Sequence, residues 1–271
     1  METTKLKYEE KEAQATNLAA KKLFNLMVEK KTNLTFSNDE TNAKRFLELS
    51  DQIGPEIAVL KTHIDLINDF TPEITKKLTQ LAEKHSFLIF EDRKLTDIGN
   101  TASRQYTGGI YKIADWANLI NVSALPGLGI IDSIGAAIKE KRDKIPRGVL
   151  VLAQMSSEGN LATGSYTQNS VNFTRNKEEI IAGYIGDGGN TRELEKLVEI
   201  SLPGQAILTP GVQTDTTGDS KGQRYSSPEK VIMAGSDSIV VGRGIYAADN
   251  PLEKAKLYRE IAWSAYLKRI S

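Results

Sequence analysis

The chain predicts an α/β fold, a (β/α)8 barrel preceded by an extra N-terminal helix. Three observations lead there. Eight short apolar runs alternate with amphipathic stretches from about residue 33 to the C-terminus. Strands spaced this way need crossovers of helical length and so pair in parallel. Eight such units in about 240 residues suit a closed barrel, and no G-x-G-x-x-G follows the first run to favour an open dinucleotide-binding sheet.

The elements follow in order. Leu18, Leu23, Leu26 and Met27 mark a helix before the first strand, within an extension over 1–32. The strands are expected at Leu34–Ser37, Ile57–Lys61, Phe87–Glu91, Leu119–Val122, Val149–Gln154, Ile180–Ile185, Ala206–Thr209 and Ser238–Gly242. Between them, Ala43, Phe46, Leu47 and Ile53 share a helical face that Gly54-Pro55 ends. Thr71-Pro72-Glu73 offers an N-cap, a proline at the first helical position and a first-turn acid. Ile131, Ile134 and Ile138 repeat the helical spacing. Asn250-Pro251 opens a last helix with a stripe of Ala255, Tyr258, Ala262, Ala265 and Tyr266. The absence of a linker or low-complexity tract implies one barrel domain over 1–271, with the barrel itself over 33–271.

Composition narrows the function. Thirty-five basic residues balance 35 acidic ones, so no net field draws the 271-residue chain to nucleic acid or an anionic membrane. Cysteine is absent, which removes disulfides, thiolate metal sites and a thiol nucleophile. The two histidines, His63 and His85, are too few for a histidine-rich metal site; His63 reads as a structural, hydrogen-bonded residue and His85 as an exposed one. The N-terminus carries no apolar signal core, and no apolar run reaches the roughly 20 residues that span a bilayer. A cytoplasmic location is expected.

The chemistry concentrates at the C-terminal ends of the strands, where barrel enzymes keep their sites. The first strand delivers Ser37 and Asp39, the second Lys61, the third Asp92 and Lys94, the fifth Gln154 and Ser156, and the eighth Gly242-Arg243-Gly244. Singly, each is an ordinary rim residue. Together they bring two ammonium groups and two carboxylates to one mouth, which is costly to desolvate unless the charges are matched or used. Asp97 completes a D-x-K-x-x-D array with Asp92 and Lys94 but lies past the rim. The glycines around Arg243 let backbone approach an anion, and loops after strands seven and eight often bind phosphate. Two long polar connections, Ser156–Thr167 and Val212–Pro228, sit on this face and read as a pair of lids.

Several segments together resemble the orotidine 5′-monophosphate decarboxylase family over about residues 33–269: FEDRKLTDIGNT from Phe90, LKTHIDLINDF from Leu60, LATGSYT from Leu161, LTPGVQ from Leu208, GQRYSSP from Gly222, IVVGRGI from Ile239 and the terminal AWSAYLKR. Their order and spacing are similar to the eukaryotic-type branch, and no phosphoribosyltransferase segment precedes them. The resemblance implies cofactor-free decarboxylation of orotidine 5′-monophosphate to uridine 5′-monophosphate, through a C6 carbanion stabilised and protonated by Lys94. By the same resemblance, Asp39 and Lys61 contact the ribose and Asp92 faces the departing carboxylate. Ser156 and Gln223 meet the pyrimidine edge. Gln223, Tyr225, Gly242 and Arg243 grip the phosphate. Asp97 and Thr101 reach the neighbouring site of a homodimer. Four places depart from the family pattern: Asn38 before Asp39, Leu95-Thr96 where Phe-Ala is common, Gln154 for a usual acid, and the segment NVSALPGLG. The alternatives are a metal-assisted sugar-phosphate decarboxylase or aldolase on a related barrel, and a non-catalytic barrel binding a phosphorylated ligand.

Overall fold

A computed structural model describes residues 3–214, 218–220 and 222–271. Eight parallel strands close into a barrel in sequence order: β1 Leu34–Asn38, β2 Val59–Thr62, β3 Leu88–Leu95, β4 Leu119–Ser123, β5 Gly148–Leu152, β6 Ile181–Ile185, β7 Ala206–Thr209 and β8 Ser238–Val241. Closure is made by β1 against β8, with Leu34 opposite Ile239. All eight lie where the apolar runs place them. The largest difference is β3, which runs on to Leu95 and therefore carries Asp92 and Lys94 inside the strand rather than after it.

Two helices precede the barrel, α1 Tyr8–Gln14 and α2 Leu18–Lys30, where the sequence pattern predicts one. Leu18, one of the four apolar residues that mark this helix, is 69 % exposed because Asn17 makes it the first helical residue, outside the packed turns. The Asn17 side chain accepts from the N–H groups of Ala19 and Ala20 and donates to the carbonyls of Arg147 and Glu179, tying α2 to the entry of β5 and β6. Likewise the Tyr8 hydroxyl donates to the Asp237 carbonyl, and Lys11 pairs with the Asp237 carboxylate at 2.5 Å just before β8. The extension thus plugs the barrel base and leaves the opposite mouth open.

The remaining helices are α3 Ala43–Ile53, α4 Pro72–His85, α5 Gly99–Thr107, α6 Leu128–Glu140, α7 Ser165–Asn172, α8 Thr191–Ile200, α9 Pro228–Met233, α10 Arg243–Tyr246 and α11 Pro251–Ile270. The α11 stripe is buried as predicted, and Tyr266 stacks on Tyr8 with ring centroids 3.9 Å apart. Thr71 opens α4, but its side chain makes no capping bond, leaving Pro72 and Glu73 as the start signal. His85, expected to be exposed, is only 13 % exposed at its side chain. Its ring meets Asp51 at 2.6 Å and packs over Gly54, because α4 ends against α3.

Candidate active site

The site begins with an irregularity in β3. Phe90 and Glu91 pair with Leu119 and Ile120, yet Leu95 pairs with Val122, so residues 92–94 bulge out opposite Asn121. A bulge re-aims side chains at a strand end. Here it puts Lys94 at φ +49°, a conformation that lysine rarely adopts and that surrounding structure must hold. Asn121 does so. Its Oδ1 accepts the Lys94 N–H at 2.6 Å, while its Nδ2 donates to Asp92 Oδ1 at 2.6 Å. One amide therefore fixes both ends of the Asp92–Lys94 pair.

Asp92 is the hub. Lys94 Nζ donates to its Oδ1 at 2.6 Å, and Lys61 Nζ lies 2.9 Å from its Oδ2. Lys61 also stands 3.8 Å from Asp39, whose Oδ1 accepts from the Ser37 hydroxyl at 3.0 Å. Burial alone would raise the Asp92 carboxyl, but Lys61 and then Lys94 outweigh it and hold it well below the usual carboxylate range. Burial likewise works against the Lys61 ammonium; Asp92 and Asp39 overcome it and keep that group above its ordinary value. A fixed, charged array thus exists before any ligand arrives.

His63 belongs to this cluster. Its Nε2 is 2.8 Å from Lys61 Nζ and 3.4 Å from Asp92 Oδ2, and burial followed by the charge of Lys61 lowers its pKa. It is hydrogen-bonded, as predicted, but to the array. Behind it Glu91, fully buried on the other face of β3, accepts from the Thr62 hydroxyl at 2.6 Å and from the Ile64 N–H at 3.2 Å. That carboxyl braces the corner bearing Lys61 and His63; burial pushes it up to about 8.

On the far side of the mouth the two predicted lids are stitched together. Glu158 N–H donates to Gly222 O at 2.8 Å, and Gln223 Nε2 donates to Ser156 Oγ at 2.6 Å. Residues 215–217 and Lys221 of the second loop lie outside the described residues. Arg243 donates to the Tyr225 hydroxyl at 2.7 Å and to Asp219 Oδ2 at 2.5 Å. Gly242 lies so close to β1 that an added Cβ would meet Ser37 Cβ at 3.3 Å. Between array and lids is an open cavity of about 270 Å³ whose lining includes Ser37, Asp39, Lys61, Asp92, Lys94, Ser156, Gln223, Tyr225, Gly242 and Arg243.

Ten of the twelve predicted site residues thus meet at one cavity. Asp97 and Thr101 do not line it. The Asp97 carboxylate accepts the neighbouring Ile98 N–H at 2.7 Å and forms no ion pair with Lys94 among the described residues, while Thr101 lies in α5. Within one chain, therefore, Lys94 is flanked by Asp92 alone and not by Asp97. Asn121, His63 and Glu91 were missed as a supporting set. Only the apolar strand pattern around a lone polar residue hinted at the first.

A closed parallel barrel with a charge array at one side of its mouth and arginine-bearing loops after β7 and β8 has the layout of the (β/α)8-barrel enzymes. The orotidine 5′-phosphate decarboxylase / HUMPS family model matches residues 32–258, and the chain belongs to that family. The orotidine 5′-phosphate decarboxylase of Aspergillus oryzae is 45% identical over 274 residues, covering 98% of each chain. The uridine 5′-monophosphate synthase of Bos taurus is 46% identical over 261 residues, which cover 96% of this chain and 52% of the bovine one. These relatives place the chain in the eukaryotic-type branch. Among solved structures, an orotidine 5′-monophosphate decarboxylase of Methanocaldococcus jannaschii, complexed with the inhibitor BMP, superposes with a TM-score of 0.68 at 18% identity over 85% of this chain and 98% of that one. That likeness bears out the barrel fold.

Proposed function

We infer that this chain decarboxylates orotidine 5′-monophosphate to uridine 5′-monophosphate, the last step of de novo pyrimidine nucleotide synthesis. The single observation carrying the mechanism is Asp92 held between Lys61 and Lys94 at 2.9 and 2.6 Å at the cavity floor. When the bond from C6 to the carboxylate breaks, carbon dioxide leaves and the electron pair stays on C6. No ring position delocalises it well. The Lys94 ammonium, already oriented, stabilises the developing anion and then donates a proton to C6; solvent restores that proton afterwards. Because Asp92 and Asn121 fix the group in advance, little reorganisation accompanies the charge shift.

The other roles follow from position. Asp39 and Lys61 suit the ribose hydroxyls, while Ser156 and Gln223 suit the pyrimidine edge. Tyr225, Gly242 and Arg243, with Gln223, suit the phosphate. Support for the last comes from Asp219, whose anionic oxygen already sits between Arg243 and Tyr225. The reading requires no cofactor. A homodimer, in which the partner's copies of residues 97 and 101 complete each site, is supported by the outward placement of Asp97 and by the exposed Ile98 and Leu125 on the rim loops after β3 and β4. The pathway and the cysteine-free sequence support a cytoplasmic location, and no helix among the described residues is long and apolar enough to cross a membrane.

The test is to add orotidine 5′-monophosphate to purified, chelator-treated protein and follow the change of its absorbance to that of uridine 5′-monophosphate. Folded protein that leaves the substrate unchanged would refute the assignment, and activity that returns only with a divalent cation would favour the metal-assisted alternative.

A further inference from the structure

Arg224 stands beside Gln223 in the second lid but points away from the cavity. Its guanidinium forks. Nη2 donates to Asp187 Oδ2 at 2.6 Å, and Nε donates to the Ser156 carbonyl at 3.3 Å. The Arg224 backbone N–H reaches that same carbonyl at 3.2 Å. Asp187 follows β6, and its side chain is only 5 % exposed. Its Oδ1 accepts the Gly189 N–H at 2.8 Å, and its own N–H donates to Gln154 Oε1 at 3.0 Å. Gln154 then donates to the Glu193 carbonyl in α8 at 2.6 Å. Glycine is required at 189, since an added Cβ would meet Arg224 Cβ at 2.5 Å.

We propose that the Asp187–Arg224 ion pair is a positioning device that locks the lids after β5 and β7 to the end of β6 and so sets Ser156 and Gln223 over the pyrimidine. The proposal rests on the roles given to those two residues above. Neither Asp187 nor Arg224 lines the main cavity, so neither touches substrate. Their effect passes through the Ser156 carbonyl, which receives two donors from one residue, and through the Ser156 Oγ to Gln223 contact. Burial works to raise the Asp187 carboxyl, and Arg224 is the main group opposing it, so each partner depends on the other. A guanidinium suits this place, because its planar fork presents donors to the carboxylate and the carbonyl in fixed directions, whereas an ammonium carries its three donors on a flexible stem. Gln154, a departure from the family pattern, takes its place here as the anchor between Asp187 and α8.

The experiment compares kcat, KM and Tm of the full-length Arg224→Ala, Arg224→Lys and Asp187→Asn proteins with orotidine 5′-monophosphate, alone and combined with Ser156→Ala. Displacing a contact group by about 1 Å can cost roughly 100-fold, so kcat/KM of Arg224→Ala and Asp187→Asn should fall by up to that factor, with most of the change in KM; Tm should fall as well in Arg224→Ala, which leaves the buried Asp187 unpaired. Arg224→Lys should recover part of the loss. The double variant Asp187→Asn/Arg224→Ala should be no worse than the weaker single one, and Arg224→Ala should cost far less once Ser156 is already alanine. Hydrogen exchange at the Glu158 amide should quicken in Arg224→Ala, a readout that survives even a poorly active variant. Multiplying losses, or unchanged kcat/KM and exchange in Arg224→Ala, would overturn the proposal. If instead Ser156→Ala and Gln223→Ala themselves leave kcat/KM unchanged, the failure lies in the pyrimidine-contact reading.

Discussion

Replacing Asp92 by asparagine removes one charge and almost no volume, which makes it the sharpest probe of the array. At an effective dielectric constant of about 20, an ion pair at the Lys61 and Lys94 separations has a Coulomb energy of roughly 6 kcal/mol. Much of this is offset by the cost of taking the ions from water. The two lysines differ in what remains: Lys61 is 8 % exposed and keeps most of its share, whereas Lys94 is 38 % exposed and is screened. The net result is set by Lys61, left buried with only Asp39 at 3.8 Å. Uncompensated buried charges cost about 3–5 kcal/mol, so Asp92→Asn should lose about 3 kcal/mol, or roughly 6–12 °C in Tm. The pH dependence supplies an independent check. In the parent, Asp92 keeps Lys61 above its ordinary 10.5, so its stabilisation is present below that pH and is lost as pH rises through the folded value. In the variant, without Asp92, burial is the largest influence left on Lys61 and should bring it below its ordinary value. Its unfolded form then binds more protons, and stability rises with pH. Urea unfolding from pH 7 to 10 should therefore show the gap between the two proteins narrowing. A variant as stable as the parent, with a parallel pH profile, would refute the view that Asp92 compensates Lys61.

Lys94→Ala should lower turnover by at least about 1000-fold, since it removes both the general acid and the preorganised charge, while titration still detects binding of uridine 5′-monophosphate. Arg243→Ala should weaken binding of that nucleotide much more than of uridine, by about 2 kcal/mol as expected for a charge-assisted hydrogen bond; equal losses for both ligands would count against a phosphate grip. Co-refolding inactive Asp97→Ala with inactive Lys94→Ala should restore part of the activity, because one site of each mixed dimer is intact; mixed dimers without activity would place Asp97 in its own chain's site. Glu91→Gln should flatten the stability profile: the Glu91 carboxyl is raised from 4.5 to about 8, so its contribution is fully present below pH 4.5 and fades as pH rises through 8. An unchanged slope over that range in urea unfolding would show that Glu91 does not titrate there.

What was legible in the sequence was whatever a period could announce. Apolar runs located every strand, and because a parallel barrel puts all strand C-termini on one face, they also located Lys61, Asp92, Ser156 and Arg243 near one another. What was not legible depends on contacts distant in sequence. Nothing in FEDRKL signals a bulge, since the register is set against β4 by Asn121, 27 residues after Lys94. Arg224 reads as a surface lid residue until β6 brings Asp187 beneath it, 37 positions away. His63 looked structural because a lone histidine says nothing of the carboxylate its ring will meet across a strand pair.

The adjacent acids of β3 show how one segment serves both support and chemistry. The pleat sends Glu91 and Asp92 to opposite faces of the barrel wall. Glu91 enters a layer with two neutral donors, and burial raises it to about 8. Asp92 faces the mouth between two ammonium groups and is held ionised. Two carboxyls one residue apart are thus driven in opposite directions by environment alone, as is typical where one group braces and another acts. A one-residue slip of β3 would turn Glu91 toward the mouth and Asp92 toward the helix layer, and would carry Lys94 out of place with them. The register that seats Glu91 beneath Thr62 and Ile64 is therefore also what delivers Asp92, and through the bulge Lys94, to the reacting end of the barrel.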